Sequence, residues 1–373
     1  MFEHLAQPYA LKDAPSTVIP VGVSIKEAKE KYHLEEVYKL ASNENPYGVS
    51  PKALAAMTEA LPTGHLYPDS TRDTLLKQKL AKRHGIEPNQ IMLTCGAANA
   101  LAFAGEAFIK PGDECIIPSP AYPPYYYIVY KNNGTIVDIP CCPDTMKLNV
   151  EGILNAVNEK TKLVFLCNPN NPTSTALSGK DLLALIDQLP KDVIVVVDEA
   201  YIDFADNSQE MTMVPHLADH PNMIVVQTYS KIYGLSKFLQ EISGLKVRQN
   251  RGIIRYLSKA MAARSLSTIA IEGGIAALED EEFRRKTIEN NSTEREYLTR
   301  EFRAMGYKVC DSQANFIYAD FGIPCGDLYF ALLPYGVMIR GDFSMARISI
   351  GLHHQNETLV NAVKDLRAKG ILH

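Results

Sequence analysis

Three aliphatic runs each end in a polar side chain with its own chemistry. Leu163-Val164-Phe165-Leu166 leads into Asn168-Pro169-Asn170-Asn171-Pro172-Thr173. Val193-Ile194-Val195-Val196-Val197 leads into Asp198-Glu199-Ala200-Tyr201, and Met223-Ile224-Val225-Val226 into Thr228-Tyr229-Ser230-Lys231. Runs of this kind read as buried strands. Open α/β sheets bind ligands at the carboxyl ends of their strands. An amide (Asn171), a carboxylate (Asp198), a phenol (Tyr201) and an amine (Lys231) at one such edge suit a single cofactor, pyridoxal 5'-phosphate (PLP).

Lys231 is the amine that would form a Schiff base with the cofactor aldehyde and then shuttle a proton at the substrate Cα. A lysine taken alone is a solvated surface charge; the company of Asp198 and Tyr201 reverses that reading. Asp198 closes an aliphatic run, where a carboxylate is poorly solvated and needs a partner. A protonated pyridine nitrogen supplies one and keeps the ring an electron sink; the competing role is an N-cap for the next segment. Tyr201 and Asn171 can both hydrogen-bond a ring hydroxyl, and Tyr201 would tune the Schiff-base pKa. Asn171-Pro172 on its own is also an ordinary turn signal.

A phosphate needs a different kind of site. The strand Gln90–Leu93 runs through Thr94-Cys95-Gly96 into a helix that opens at Ala97. A helix N-terminus is an anion site, and Gly96 permits close backbone approach. Cys95, Gly96 and Ala97, with the Thr228 and Ser230 hydroxyls, are therefore the candidates to hold the cofactor phosphate. Tyr122 either stacks on the pyridine face or belongs to an aromatic core patch running to Tyr130. Arg347 carries a fork suited to a carboxylate. Arg340 either binds a second anion or pairs with Asp342.

Helices and strands alternate along the chain, which predicts an α/β fold with a mostly parallel sheet covered by helices. Helices are expected over Ser50–Ala60, Thr71–His84, Ala97–Phe108, Asn149–Asn158 and Gly179–Gln188. Further strands are expected at Glu114–Ile117 and Thr135–Ile139. Beyond residue 280 the pattern changes to a long charged helix, Glu281–Met305, and short strands at Tyr307–Val309, Asn315–Tyr318 and Arg347–Ile350. A final helix is expected over Asn356–Ala368. The expected division is an arm, 1–45, packing with a small α+β domain, 281–373, and a large domain, 46–280.

The 373-residue chain has a formal charge of -5, so it lacks the basic footprint of a nucleic-acid binder. It shows no 18-residue apolar span of the membrane-crossing kind, and Met1-Phe2-Glu3-His4 lacks a signal-peptide pattern. Seven scattered cysteines without Cys-x-x-Cys read as reduced thiols of a cytoplasmic protein, not as a metal cluster.

In order along the chain stand Leu40-Ala41-Ser42-Asn43-Glu44-Asn45-Pro46-Tyr47-Gly48, Tyr67-Pro68-Asp69, Cys167–Thr173, Val197–Tyr201, Thr228–Lys231 and Arg347-Ile348-Ser349-Ile350-Gly351. Over nearly its whole length the sequence resembles the fold-type-I PLP-dependent aminotransferases of class I/II, most like the histidinol-phosphate aminotransferases. The resemblance implies a large PLP-binding domain with a small α+β domain. It assigns Lys231 to the Schiff base, Asp198 to the pyridinium, Asn171 and Tyr201 to the ring hydroxyl, and Arg347 to the substrate carboxylate or its equivalent. Asn43 joins Arg347 and Arg340 as a substrate-binding candidate. Tyr67 would reach the cofactor phosphate of a neighbouring subunit, which implies a homodimer with shared active sites. The implied reaction passes an amino group from a primary amine or amino acid, histidinol phosphate first among them, to a 2-oxo acid such as 2-oxoglutarate.

The pattern breaks at three places. Ser174 replaces the usual Gly after Asn-Pro-Thr, and Ala97-Ala98-Asn99 lacks the acidic residue common in relatives. Leu239 stands where relatives carry a phosphate-gripping Arg; the nearest match, Gly244-Leu245-Lys246-Val247-Arg248, comes several residues late. Either Lys237, Lys246 or Arg248 reaches the phosphate from a remodelled loop, or PLP is held more weakly or does altered chemistry, or the segment itself is locally altered. The same segment motivates an alternative activity, a PLP- and oxygen-dependent oxidase or desaturase of a cationic amino acid such as arginine. A non-enzymatic PLP-fold regulator is a further class, against which the intact set of Asn171, Asp198, Tyr201, Lys231 and Arg347 argues.

Overall fold

A computed structural model describes residues 23–236, the backbone of 241–244, Leu257 and residues 266–373. Its strands are β1 (Tyr38–Lys39), β2 (Ile91–Thr94), β3 (Glu114–Ser119), β4 (Thr135–Pro140), β5 (Thr161–Cys167), β6 (Ile194–Asp198), β7 (Met223–Thr228), β8 (Glu241–Gly244), β9 (Lys308–Val309), β10 (Phe316–Asp320), β11 (Val337–Met338) and β12 (Ala346–Ser349). The three aliphatic runs are β5, β6 and β7, adjacent in the middle of a seven-stranded sheet of order β2-β8-β7-β6-β5-β3-β4. Cys167 pairs with Asp198 and Asp198 with Val226, so the polar ends of the three strands lie side by side. The strand pairs are parallel except those made by β8, which runs antiparallel to both β2 and β7.

These strands are aliphatic throughout because helices cover both faces. Residues alternate between the faces: Phe165, Val196 and Val226 pack with Leu101 and Ala104 of the helix Ala97–Phe108. Val164, Val195 and Val225 pack with Leu182, Leu185 and Ile186 of the helix Gly179–Gln188. A three-stranded antiparallel sheet, β12-β10-β9, carries the C-terminal helices Glu281–Ala304 and His353–Ala368, with Phe302, Ile317, Ile348 and Leu359 in their common core. β1 pairs in parallel with β11, and Leu40 joins the same core.

Several boundaries differ from expectation for local reasons. The last helix begins at His353, three residues early, because Gln355 Oε1 accepts the Leu352 N–H at 3.0 Å. The crossover helix after β4 covers only Val150–Ala156, since Asn158 is drawn into a turn by its N–H bond to Thr161 Oγ1. The tyrosine-rich stretch after Pro123 is a helix, Pro124–Lys131, with proline in its first turn. β8 and the helix Thr268–Ala277 escaped the periodicity reading. The first is a short polar segment, and the second has apolar residues on every side. Gly273 of that helix lies so close to Met57 that a Cβ would meet the Met57 side chain at 2.7 Å. Among the described residues no helix is long and apolar enough to cross a membrane.

Candidate active site

The carboxyl ends of β5, β6 and β7 open onto a cavity of about 380 Å³, lined in part by Asn43, Asn171, Asp198, Tyr201, Lys231 and Arg347. Lys231 reaches it because β7 ends in a tight turn. Thr228 Oγ1 accepts the Ser230 N–H at 2.9 Å and starts a single helical turn, Tyr229–Ile232. Asn45 Nδ2 donates to the Lys231 and Ile232 carbonyls at 3.2 and 3.0 Å, tying that turn to the motif that begins at Leu40. Lys231 Nζ lies 3.4 Å from the Ser42 carbonyl.

Asp198 is 3 % exposed. Its carboxylate accepts from Tyr125 OH at 2.6 Å and from the Ala200 N–H at 3.0 Å. Burial pushes its carboxyl above the ordinary range, against the lowering effect of these two bonds. An acid that neutral donors leave short of compensation is matched by a protonated pyridine nitrogen. Burial likewise raises Tyr201, so its phenol is protonated at neutral pH. Tyr201 OH accepts from Asn43 Nδ2 at 3.1 Å and from Asn171 Nδ2 at 3.4 Å. Arg347 donates from Nη1 to Asn171 Oδ1 at 2.8 Å and from Nη2 to the Ala41 carbonyl at 2.7 Å. Its Nε is buried without a hydrogen-bond partner among the described residues.

The phosphate candidates Cys95, Gly96, Ala97, Thr228 and Ser230 all line the same cavity. Gly96 has φ 97°, a conformation that favours glycine, and it caps the twelve-residue helix Ala97–Phe108. Backbone donors, hydroxyls, a buried acid and an amine thus meet around one space, a donor set that fits PLP. Of the remaining candidates, Tyr122 and Arg340 are at the cavity wall. Tyr122 also packs edge-on against Tyr125, so it serves the aromatic cluster as well. Arg340 forks onto Asp342 at 2.5 and 2.8 Å, the ion pair that was one of its two expected roles. Asn43, expected to face substrate, has its carboxamide engaged by Tyr201 and Ser349. Tyr67 is 93 % exposed and does not line the cavity. Lys237, Leu239, Lys246 and Arg248 lie outside the described residues.

Sequence reasoning missed Tyr125, the direct partner of Asp198, and Ser236, whose hydroxyl donates to the Ser230 carbonyl at 2.8 Å on the cavity wall. It also missed Phe343, whose ring lies 5.8 Å from the Arg340 guanidinium and 5.4 Å from that of Arg347. The spacing of Tyr122 and Tyr125, one helical turn, was the available signal for the first.

A mostly parallel sheet with one antiparallel strand and a lysine beside a buried acid at its carboxyl edge define a fold-type-I PLP-dependent transferase. The chain belongs to the family "Aminotransferase class I and II", whose model matches residues 35–366. It is 33% identical over 350 residues to the histidinol-phosphate aminotransferase of Geobacillus sp. (strain WCH70), covering 92% of this chain and 94% of that one. It is 34% identical over 352 residues to histidinol-phosphate aminotransferase 2 of Carboxydothermus hydrogenoformans, with coverage of 92% and 94%. The fold is that of the Sinorhizobium meliloti histidinol-phosphate aminotransferase in complex with pyridoxal-5'-phosphate (TM-score 0.82, 24% identity, covering 95% of this chain and 99% of that one). A Thermus thermophilus aspartate aminotransferase double mutant shares it (TM-score 0.82, 21% identity, covering 96% and 98%). The protein is a PLP-dependent aminotransferase, and nothing in these comparisons favours the oxygen-dependent alternative.

Proposed function

We propose that this aminotransferase takes its amino group from a donor bearing a phosphate or carboxylate, histidinol phosphate first, and passes it to 2-oxoglutarate. The observation that carries this reading is Arg347, buried against the cavity with Nε unpartnered among the described residues and with the Arg340 guanidinium near the same Phe343 ring. A guanidinium so placed takes up the donor's anionic end and holds its amine toward Lys231.

Bound PLP supplies an electron sink for the charge that develops at the donor Cα. In this reading Asp198 keeps the pyridine nitrogen protonated, and the Tyr125 bond keeps Asp198 aimed. Tyr201 and Asn171 hold the ring oxygen. Cys95, Gly96, Ala97, Thr228 and Ser230 hold the phosphate through backbone N–H and hydroxyl donors. Lys231 would anchor the cofactor through its amine and, with the donor bound, would use that amine to move the donor Cα proton. Tyr122 would lie against one face of the ring.

We also read the chain as a homodimer in which Tyr67 reaches the other subunit's cofactor phosphate, with exposed Leu54, Leu61 and Leu66 on the docking face. The reading divides the chain into an arm, 1–45, a large domain, 46–280, and a small domain, 281–373, in a cytoplasmic protein.

The test supplies PLP-loaded protein with 2-oxoglutarate and follows glutamate formation from L-histidinol phosphate, L-histidinol, L-phenylalanine and L-arginine. The phosphorylated donor should exceed L-histidinol in kcat/KM by at least about tenfold, the lower end of what one charge-assisted bond contributes. Equal rates for the two would remove the phosphate from the reading.

A further inference from the structure

Tyr201 is surrounded by amides whose orientation can be derived. An arginine only donates, so the bond from Arg347 Nη1 to Asn171 fixes Oδ1 of that amide on the arginine and turns Nδ2 toward Tyr201 OH, at 3.4 Å. Asn43 is fixed from another side. Ser349 Oγ accepts the Asn43 N–H at 2.8 Å, which leaves the serine hydrogen for Asn43 Oδ1 at 3.1 Å. The Nδ2 of Asn43 then faces Tyr201 OH at 3.1 Å. Asn43 is 1 % exposed, and its carbonyl accepts from Asn315 Nδ2 at 3.0 Å, so the residue is held along its whole length. Its φ of 53° is a left-handed conformation that asparagine tolerates.

Two amide donors therefore occupy the acceptor side of one phenol oxygen. A phenol so arranged has a single hydrogen left, and that hydrogen faces the cavity. We propose that Asn43 is a positioning residue for Tyr201, which with Asn171 forces the phenol to donate to the cofactor's ring oxygen instead of accepting from it. This rests on the reading that Tyr201 meets that ring oxygen. The consequence is chemical: an obligatory donor stabilises the ring oxygen as its anion. It thereby lowers the hold of that oxygen on the proton at Lys231 Nζ. The N-terminal motif and β12 would thus set a proton equilibrium at the cofactor without touching it.

The experiment titrates the visible absorption of the PLP-loaded protein against pH in the wild type, Asn43→Ala, Tyr201→Phe and the double variant. Asn43→Ala should move the midpoint upward by about one pH unit, the tenfold change expected for one hydrogen bond. Tyr201→Phe should move it in the same direction, and the double variant should match Tyr201→Phe alone, because Asn43 acts only through the phenol. Asn43→Ala with an unmoved midpoint, or a double variant whose shift is the sum of the singles, overturns the proposal. If Asn43→Ala does not fold, Ser349→Ala, which releases the amide from its fixed rotation, should still shift the midpoint upward; no shift there overturns it too. A wild-type protein that acquires no visible cofactor band fails the functional reading itself. A normal wild-type band with unmoved variants fails this inference alone.

Discussion

Arg347 Nη1 donates to Asn171 Oδ1 at 2.8 Å, so the proposed anchor of the donor and a proposed holder of the cofactor ring are joined before either ligand arrives. The link crosses from β12 to the loop after β5, and burial lowers the Arg347 pKa. A lysine cannot reproduce the fork, since its ammonium is a point charge. Arg347→Lys should lower kcat/KM for an anionic donor by about 100-fold, roughly 3 kcal/mol for one lost charge-assisted bond. Steady-state kinetics check this, and an Arg347→Lys enzyme with wild-type kcat/KM would remove Arg347 from donor binding.

Asp198 gives a prediction that differs between the apo and loaded proteins. Burial raises its carboxyl in the fold. An acid raised in this way costs stability as pH climbs past its unfolded value, near about 4. Asp198→Asn should therefore raise the melting temperature of the PLP-free protein at pH 7 and leave it unchanged near pH 3. The same variant should bind PLP about 100-fold more weakly, because an amide cannot hold the pyridine nitrogen protonated. Thermal melts with and without PLP, plus equilibrium dialysis, separate the two effects. A variant that is less stable without PLP at pH 7 yet binds it normally would contradict the role given to Asp198.

Much of this arrangement was legible in the chain because burial on both faces leaves an unmistakable aliphatic run. β5, β6 and β7 are such runs, and their register delivers Asn171, Asp198 and Lys231 to one edge. What stayed hidden depends on contacts distant in sequence. Asn45, which holds the Lys231 turn, is 186 residues away from it, and Asn43 meets Ser349 across 306. Neither carries a periodic signal. β8 is four residues with polar members, and its place between β2 and β7 comes from pairing, not from its own composition.

The turn after Lys231 depends on Gly234. Its φ is 66°, and a Cβ there would stand 1.9 Å from the Gly48 carbonyl oxygen. The Ser50 N–H bond to the Tyr233 carbonyl, at 3.0 Å, holds the two segments at this distance. Gly234→Ala combines left-handed strain with a backbone overlap and should cost roughly 3 kcal/mol. The loss should appear in chemical denaturation of the PLP-free protein and be accompanied by weaker PLP binding, as Lys231 is displaced. Unchanged stability would mean that the 48–50 segment moves away freely.

Glu199 supplies the pH dependence of the fold. It follows Asp198 but has its own partners: the Met213 N–H at 2.6 Å, Thr212 Oγ1 at 2.7 Å and Gln227 Nε2 at 2.7 Å. Despite these donors, burial raises its carboxyl from 4.5 to about 7. A group raised in the fold stabilises it fully below the unfolded value and loses that contribution as pH rises through the folded one. The PLP-free protein should therefore lose up to about 3 kcal/mol of stability from this group between pH 4.5 and 7. Glu199→Gln removes the titration but puts an amide NH2 in place of one oxygen, either against the Thr212 Oγ1 and Gln227 Nε2 donors of Oε2 or against the Met213 N–H donor of Oε1. It should be less stable than wild type at pH 5, and the part of the slope between pH 4.5 and 7 that belongs to Glu199 should vanish. Urea denaturation at half-unit pH steps measures both slopes. Parallel slopes in the two proteins would mean that Glu199 is ionised throughout, with its three hydrogen bonds outweighing its burial.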